Sequence, residues 1–141
     1  MPRIKQKKTD PTNGVKESGF SNRLRSVLWK IPGLTVWRQN SGKMMVRDEE
    51  TGIKRRFDGA PKGAADITGI LAPEGIRVEI EANGKRGKMR PEQIQWAVRI
   101  QNAGGLYLYA PMFKDRHANE SVSYWKMALE DLIAQRRKGV E

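Results

Sequence analysis

Apolar residues recur along this chain with two different periods, and the switches between them lay out its elements. From Glu17 to Lys30, the residues Phe20, Leu24, Val27 and Leu28 fall on one helical stripe, with Arg23, Arg25 and Lys30 off it. Ile31-Pro32-Gly33 stops that helix. A short strand is predicted from Leu34 to Gln39, with Leu34, Val36 and then Gln39 set against Thr35, Trp37 and Arg38. Met44 to Arg47 and Ile53 to Phe57 flank the turn-rich Asp48-Glu49-Glu50-Thr51-Gly52 and predict a hairpin. Two further β-rich runs, Ala64 to Leu71 and Ile76 to Ala82, are joined by the turn Ala72-Pro73-Glu74-Gly75. In the second run Val78, Ile80 and Ala82 share one face, and Arg77, Glu79, Glu81 and Asn83 the other.

Asn83 to Arg90 is rich in glycine and lysine and reads as a basic loop. Pro91 suits the first turn of a helix, Glu92 complements its dipole, and Ile94, Ala97, Val98 and Gln101 line the face expected to pack. Gly104-Gly105 ends that helix, and Leu106 to Ala110 predicts another strand. Asn119 is placed to cap a last helix carrying Val122, Trp125, Leu129, Leu132 and Ile133 at helical spacing. The order of helix, strands, helix, strand and helix predicts an α/β domain, a mixed central sheet with helices on its faces.

At 141 residues this is one domain, expected from residue 16 to 141. Residues 1–15 carry Arg3, Lys5, Lys7 and Lys8 with almost nothing apolar, and are expected to be a disordered basic arm. A formal charge of +11 favours a nucleic acid partner over an anionic membrane surface. No apolar run approaches the roughly 20 residues of a membrane span. The basic N-terminus is followed by no apolar segment of a secretory signal. With no cysteine there is neither a disulfide framework nor a thiolate zinc site, and a cytoplasmic protein is expected. Lys43, Arg47, Lys54, Arg55 and Arg56 on the hairpin, Lys62 ahead of the next strand, and Lys85, Arg86 and Lys88 in the basic loop are candidate phosphate contacts. The alternative for the hairpin is a charged edge that discourages strand pairing.

Carboxylates supply the candidate chemistry. Asp66 heads one apolar run, and Glu79 and Glu81 alternate along the next. Hydrolysis of a phosphodiester needs a nucleophilic water and neutralised phosphoryl oxygens, which a magnesium or manganese ion on oxygen ligands provides. Asp66 with either strand glutamate makes a plausible ligand set. The plainer alternative is a solvated strand face and a turn aspartate. A lone His117 in a polar loop, with no Ser or Cys motif beside it, gives no triad, and neither a Walker loop nor GxGxxG is present. Trp29, Trp37, Trp96 and Trp125 are expected in or near the core, and Tyr107 and Tyr109 are the better stacking candidates.

At these residues, over about Glu17 to Ala110, the chain resembles the VRR-Nuc family, virus-type replication-repair nucleases of the PD-(D/E)xK superfamily. The likeness rests on the order and spacing of several pieces, none specific alone. They are a first helix opened by Glu17-Ser18, Trp37-Arg38-Gln39-Asn40-Ser41-Gly42, Lys62-Gly63-Ala64-Ala65-Asp66-Ile67, the glutamate-bearing strand, Gly87-Lys88-Met89-Arg90-Pro91-Glu92-Gln93, and Gly104-Gly105. The resemblance implies a PD-(D/E)xK nuclease-like fold and a small metal-dependent DNA endonuclease of phage or prophage type. It also implies a homodimer acting on branched DNA such as four-way (Holliday) junctions. By position, Asp66 is the metal-binding aspartate, Gln93 the helix glutamine beside the site, and Glu17 the first-helix acid. Glu81-Ala82-Asn83 takes the place of the family Glu-x-Lys, with Glu81 and the Ala82 carbonyl as ligands. A shift of two makes Glu79 the glutamate instead. In both alignments the lysine is missing, and Asn83 can hydrogen-bond the attacking water but brings no positive charge. The expected activity is therefore Mg2+/Mn2+-dependent phosphodiester hydrolysis. The rivals are a branched-DNA-binding module that has lost catalysis with the lysine and a basic RNA-binding protein.

Overall fold

The computed structural model describes residues 17–39, 43–82, 88–113 and 118–139. The elements, in chain order, are α1 (Glu17–Leu28), β1 (Leu34–Arg38), β2 (Lys43–Arg47), β3 (Lys54–Asp58), β4 (Ile67–Leu71) and β5 (Ile76–Glu81). They continue with α2 (Pro91–Asn102), β6 (Leu106–Tyr109) and α3 (Ala118–Lys138). Four strands form one mixed sheet in the order β1-β4-β5-β6, and β2 and β3 pair separately as a two-stranded ribbon. Within the sheet β1–β4 and β4–β5 are antiparallel and β5–β6 is parallel. The parallel pair is joined through α2, since parallel neighbours need a crossover where antiparallel ones need only a turn. The chain is thus the α/β mixed sheet with three helices that its periodicities predict.

Strand alternation sends the apolar residues to one face. Leu34, Val36, Ile67, Leu71, Val78 and Ile80 are buried there against Phe20, Leu24 and Leu28 of α1 and Val122, Leu129 and Ile133 of α3. At Gly69 the strands β1 and β4 approach so closely that a Cβ would run into the Thr35 carbonyl oxygen and a methyl of Val36. The opposite face of β5 and β6 is polar, and α2 covers it.

That cover accounts for several departures from the sequence reading. The inward side of α2 buries Gln93 and Ala97, whereas Ile94 and Val98 are each 49 % exposed. A helix resting on a polar sheet face turns the Gln93 side chain inward with Ala97, so its apolar stripe marks only part of its contact. Gln39 does not join Leu34 and Val36, because its amide reaches the Glu79 side of the sheet instead. Strand β4 begins at Ile67, and Ala64 and Ala65 are buried ahead of it in non-strand backbone. Asn119 lies inside α3, one residue past Ala118, and its Oδ1 accepts from Arg23 at 3.1 Å. Trp29 and Trp37 are exposed rather than core. Among the described residues no helix is long and apolar enough to cross a membrane. The expected arm over residues 1–15 and His117 lie outside the described residues.

Candidate carboxylate site

Register brings the acids together. Thr68 pairs with Glu79 and Ile67 with Ile80 across β4 and β5, and continuing by one residue sets Asp66 opposite Glu81. On the other side of β5, Glu79 faces Tyr107 and Glu81 faces Tyr109. Cross-strand partners share a face, so Thr68–Glu79–Tyr107 and Asp66–Glu81–Tyr109 form two successive rungs on the side under α2.

Asp66 lies where α1, β4 and the end of β5 meet. Its Oδ1 accepts the Ala82 backbone N–H at 2.7 Å, and its Oδ2 accepts the Ser21 hydroxyl at 2.6 Å. Its carbonyl accepts the Gln39 N–H at 2.7 Å, which ties β1 to the same corner. Ala82, expected to offer its carbonyl, thus also presents its peptide N–H to Asp66. Glu81 is almost fully buried beside them.

Glu79 has different company. It is 0 % exposed, which excludes the alternative of a solvated position for this glutamate. An Arg77 nitrogen donates to its Oε1 at 3.2 Å and the Gln39 amide to its Oε2 at 3.4 Å, while Arg77 also donates to Gln39 Oε1 at 3.3 Å. Burial is the largest influence on this carboxyl and pushes it above its ordinary range. The Arg77 charge, then the bonds from Arg77 and Gln39, oppose that without reversing it. The Trp96 indole also approaches closely enough to favour the carboxylate, yet its Nε1–H makes no hydrogen bond.

Among the described residues no three acidic or imidazole side chains gather as a cation cluster. Asp66, just ahead of β4, and Glu81, at the end of β5, are nevertheless two hard oxygen donors at one corner of the sheet. That suits a magnesium-type ion, which takes one or two carboxylates and keeps several waters. Gln93 is buried at the start of α2, where its Oε1 accepts the Arg90 N–H at 2.8 Å and so caps the helix. The Glu17 side chain and the whole of Asn83, Lys85 and Arg86 lie outside the described residues, as do the side chains of Lys43 and Arg56. Arg47, Lys54, Arg55 and Lys88 are exposed, and Lys62 pairs with Glu92 at 3.2 Å.

Tyr107 is the residue that sequence reasoning passed over as anything but a stacking platform. Its hydroxyl is buried without a partner, whereas Tyr109 turns its hydroxyl to the Lys88 carbonyl at 3.5 Å. The Leu-Tyr-Leu-Tyr alternation of β6 was the available signal, since it puts both tyrosines on the carboxylate face. No protein-family model matches this chain, and no curated protein matches it either.

Proposed function

We propose that this protein is a metal-dependent, structure-selective DNA endonuclease of the PD-(D/E)xK type, resembling the standalone VRR-Nuc nucleases and acting as a homodimer on four-way junctions. The observation that carries the reading is the Ala82 N–H on the Asp66 carboxylate, just past the Ile67–Ile80 pair, which brings Asp66 to the end of β5 that carries Glu81. Asp66 and Glu81 would hold Mg2+ or Mn2+, with the Ala82 carbonyl as a further oxygen. When bound, the ion supplies an activated water and offsets charge on the phosphoryl oxygens. Glu81 is preferred over Glu79 because it adjoins Ala82, whose N–H bonds Asp66, whereas Glu79 lies two residues back beside Arg77 and Gln39. Ser21 and the Ala82 N–H orient Asp66, and Gln93 fixes the start of the helix that closes the site. Asn83 stands where the family lysine would be and orients water through its amide alone. Exposed Arg47, Lys54, Arg55 and Lys88 supply positive charge for the DNA backbone.

A second reading, a branched-DNA-binding module without catalysis, draws on two observations: Asn83 in place of lysine, and no third acid beside the pair among the described residues. Cleavage of an end-labelled four-way junction beside a linear duplex separates them, run with Mg2+, Mn2+ or EDTA. Junction cutting by wild type that is lost with EDTA, Asp66→Asn and Glu81→Gln but kept by Glu79→Gln supports the nuclease and its ligand assignment. Loss with Glu79→Gln and retention with Glu81→Gln reverses that assignment. Binding without cutting by wild type, with cutting restored in Asn83→Lys, identifies a disarmed site. Binding without cutting by both favours the module.

A further inference from the structure

The sheet face that carries Glu79 is covered by α2 over β5 and β6. Over β1 and β4 the same face is open. Trp37 on β1 is 42 % exposed and Ile70 on β4 is 45 % exposed. Register makes them one patch. Trp37 pairs with Thr68 and the exposed Thr35 with Ile70, so the indole and the Ile70 side chain are diagonal neighbours. A single exposed apolar residue is ordinary, but an indole beside an isoleucine on an open strand face suits a flat apolar partner. Tyr107 and Tyr109, on the covered strand β6, are only half-buried and less open than Trp37.

The patch adjoins the carboxylates. Thr68, the partner of Trp37, lies two residues past Asp66 and pairs on its other side with Glu79. Gln39, two residues past Trp37, donates its N–H to the Asp66 carbonyl at 2.7 Å. One strand across and two residues along puts the Trp37 backbone roughly 8 Å from that of Asp66. Stacked nucleotides rise about 3.4 Å each along a strand, so the indole lies about two nucleotides from a phosphate held at Asp66. Positive charge borders the patch. Arg38 is exposed next to Trp37, and Arg77, which bonds Glu79 through one nitrogen, pairs with Ile70. An open aromatic ring with guanidinium groups beside it is what single-stranded nucleic acid takes, the ring for a base and the cations for phosphates.

We infer that Trp37 is a stacking platform for an unpaired base of the DNA, next to the phosphate at the Asp66 site, with Ile70 extending the floor. The inference rests on the nuclease reading above and names what that site selects. Inside a continuous duplex each base already stacks on its neighbours. Trp37 therefore meets a base only where pairing is interrupted, at a branch point or a flap, whereas the exposed basic residues hold either kind of DNA.

The test is DNA binding by fluorescence anisotropy in EDTA, for wild type, Trp37→Ala, Trp37→Phe and Trp29→Ala. Three labelled probes are compared: a duplex with a flap of unpaired thymidines, the same flap with abasic sites in place of its bases, and the continuous duplex. Trp37→Ala should bind the thymidine flap about 5- to 150-fold more weakly, the equivalent of about 1–3 kcal/mol, and the duplex as wild type does. Wild type should lose as much on the abasic flap, and Trp37→Ala should not tell the two flaps apart, which is the coupling a stacked pair requires. Trp37→Phe should keep part of the affinity and Trp29→Ala all of it. Wild type that binds thymidine and abasic flaps equally overturns the inference, whether or not Trp37→Ala folds. An equal loss by Trp37→Ala on flap and duplex also overturns it. So does a Trp37→Ala protein with half the wild-type mass by light scattering, which puts a second copy on the patch. In any of these cases, Mg2+-dependent junction cleavage that is lost in Asp66→Asn leaves the nuclease reading standing. Wild type that binds none of the probes overturns both.

Discussion

Arg77→Met tests how the polar face under α2 is held together. Methionine keeps much of the apolar stem but removes the charge that pairs with Glu79. Breaking one side of a fully buried ion pair costs about 3–5 kcal/mol, because the other charge is left behind. Here the Glu79 side chain is 0 % exposed but that of Arg77 is 44 % exposed, and Gln39 goes on donating to Glu79. Solvent screening on the arginine side brings the expected cost to about 2 kcal/mol at neutral pH. The cost should depend on pH with a definite sign. Glu79 is raised in the folded protein above its ordinary 4.5, so it binds its proton more tightly folded than unfolded. Its contribution to stability is complete below 4.5 and is lost as pH rises through the folded value. Removing Arg77 takes away the largest opposing influence, raises the group further and extends that loss to higher pH. Urea unfolding at neutral pH and at pH 4.5, on wild type, Arg77→Met, Glu79→Gln and the double variant, reads the difference. The gap between Arg77→Met and wild type should open as pH rises and should largely close when Glu79 is already Gln. A gap of equal size at both pH values, or one that persists in the Glu79→Gln background, refutes the argument.

Ser21→Ala removes a 2.6 Å bond to a carboxylate and should lower stability by about 1–2 kcal/mol in the same unfolding assay, while an unchanged midpoint would mean that Asp66 does not need α1. Gly69→Ala places a Cβ on the Thr35 carbonyl oxygen, backbone that cannot swing aside, so a loss of at least about 2 kcal/mol is expected, and a near-neutral result would show β1 free to shift.

The elements on the apolar side of the sheet were legible because their periodicity and their packing are the same fact. Phe20, Leu24 and Leu28 on α1 and Val78 and Ile80 on β5 are spaced by the geometry that buries them. Pro91 marked the start of α2 to the residue. The polar side was harder, because which face of β5 gets covered depends on where α2 lands, and that is a property of the crossover rather than of either segment. The residues alone therefore left a solvated position open for Glu79, which is wholly enclosed. Of the predicted face of α2, Ala97 is buried, but Ile94 and Val98 are exposed and Gln93 takes their place. The residues alone left either Glu79 or Glu81 free to meet Asp66, and the register that sets Thr68 on Glu79 is what distinguishes the two. The engagement of Glu79 with Arg77 and Gln39 was not readable, since Gln39 arrives from a third strand.

The short bond from the Ala82 N–H to Asp66 gives this protein an internal spectroscopic gauge. An amide whose nitrogen lies 2.7 Å from a carboxylate oxygen has its proton in a short hydrogen bond, so that proton resonates far downfield in a nitrogen-correlated NMR spectrum and exchanges slowly with solvent. Anything that draws electron density from that carboxylate or turns it, whether a cation, a nearby phosphate or a substitution at Ser21, moves this one peak. Events at the corner of three elements can thus be followed at a single backbone site, without a label on the side chains and without waiting for a reaction.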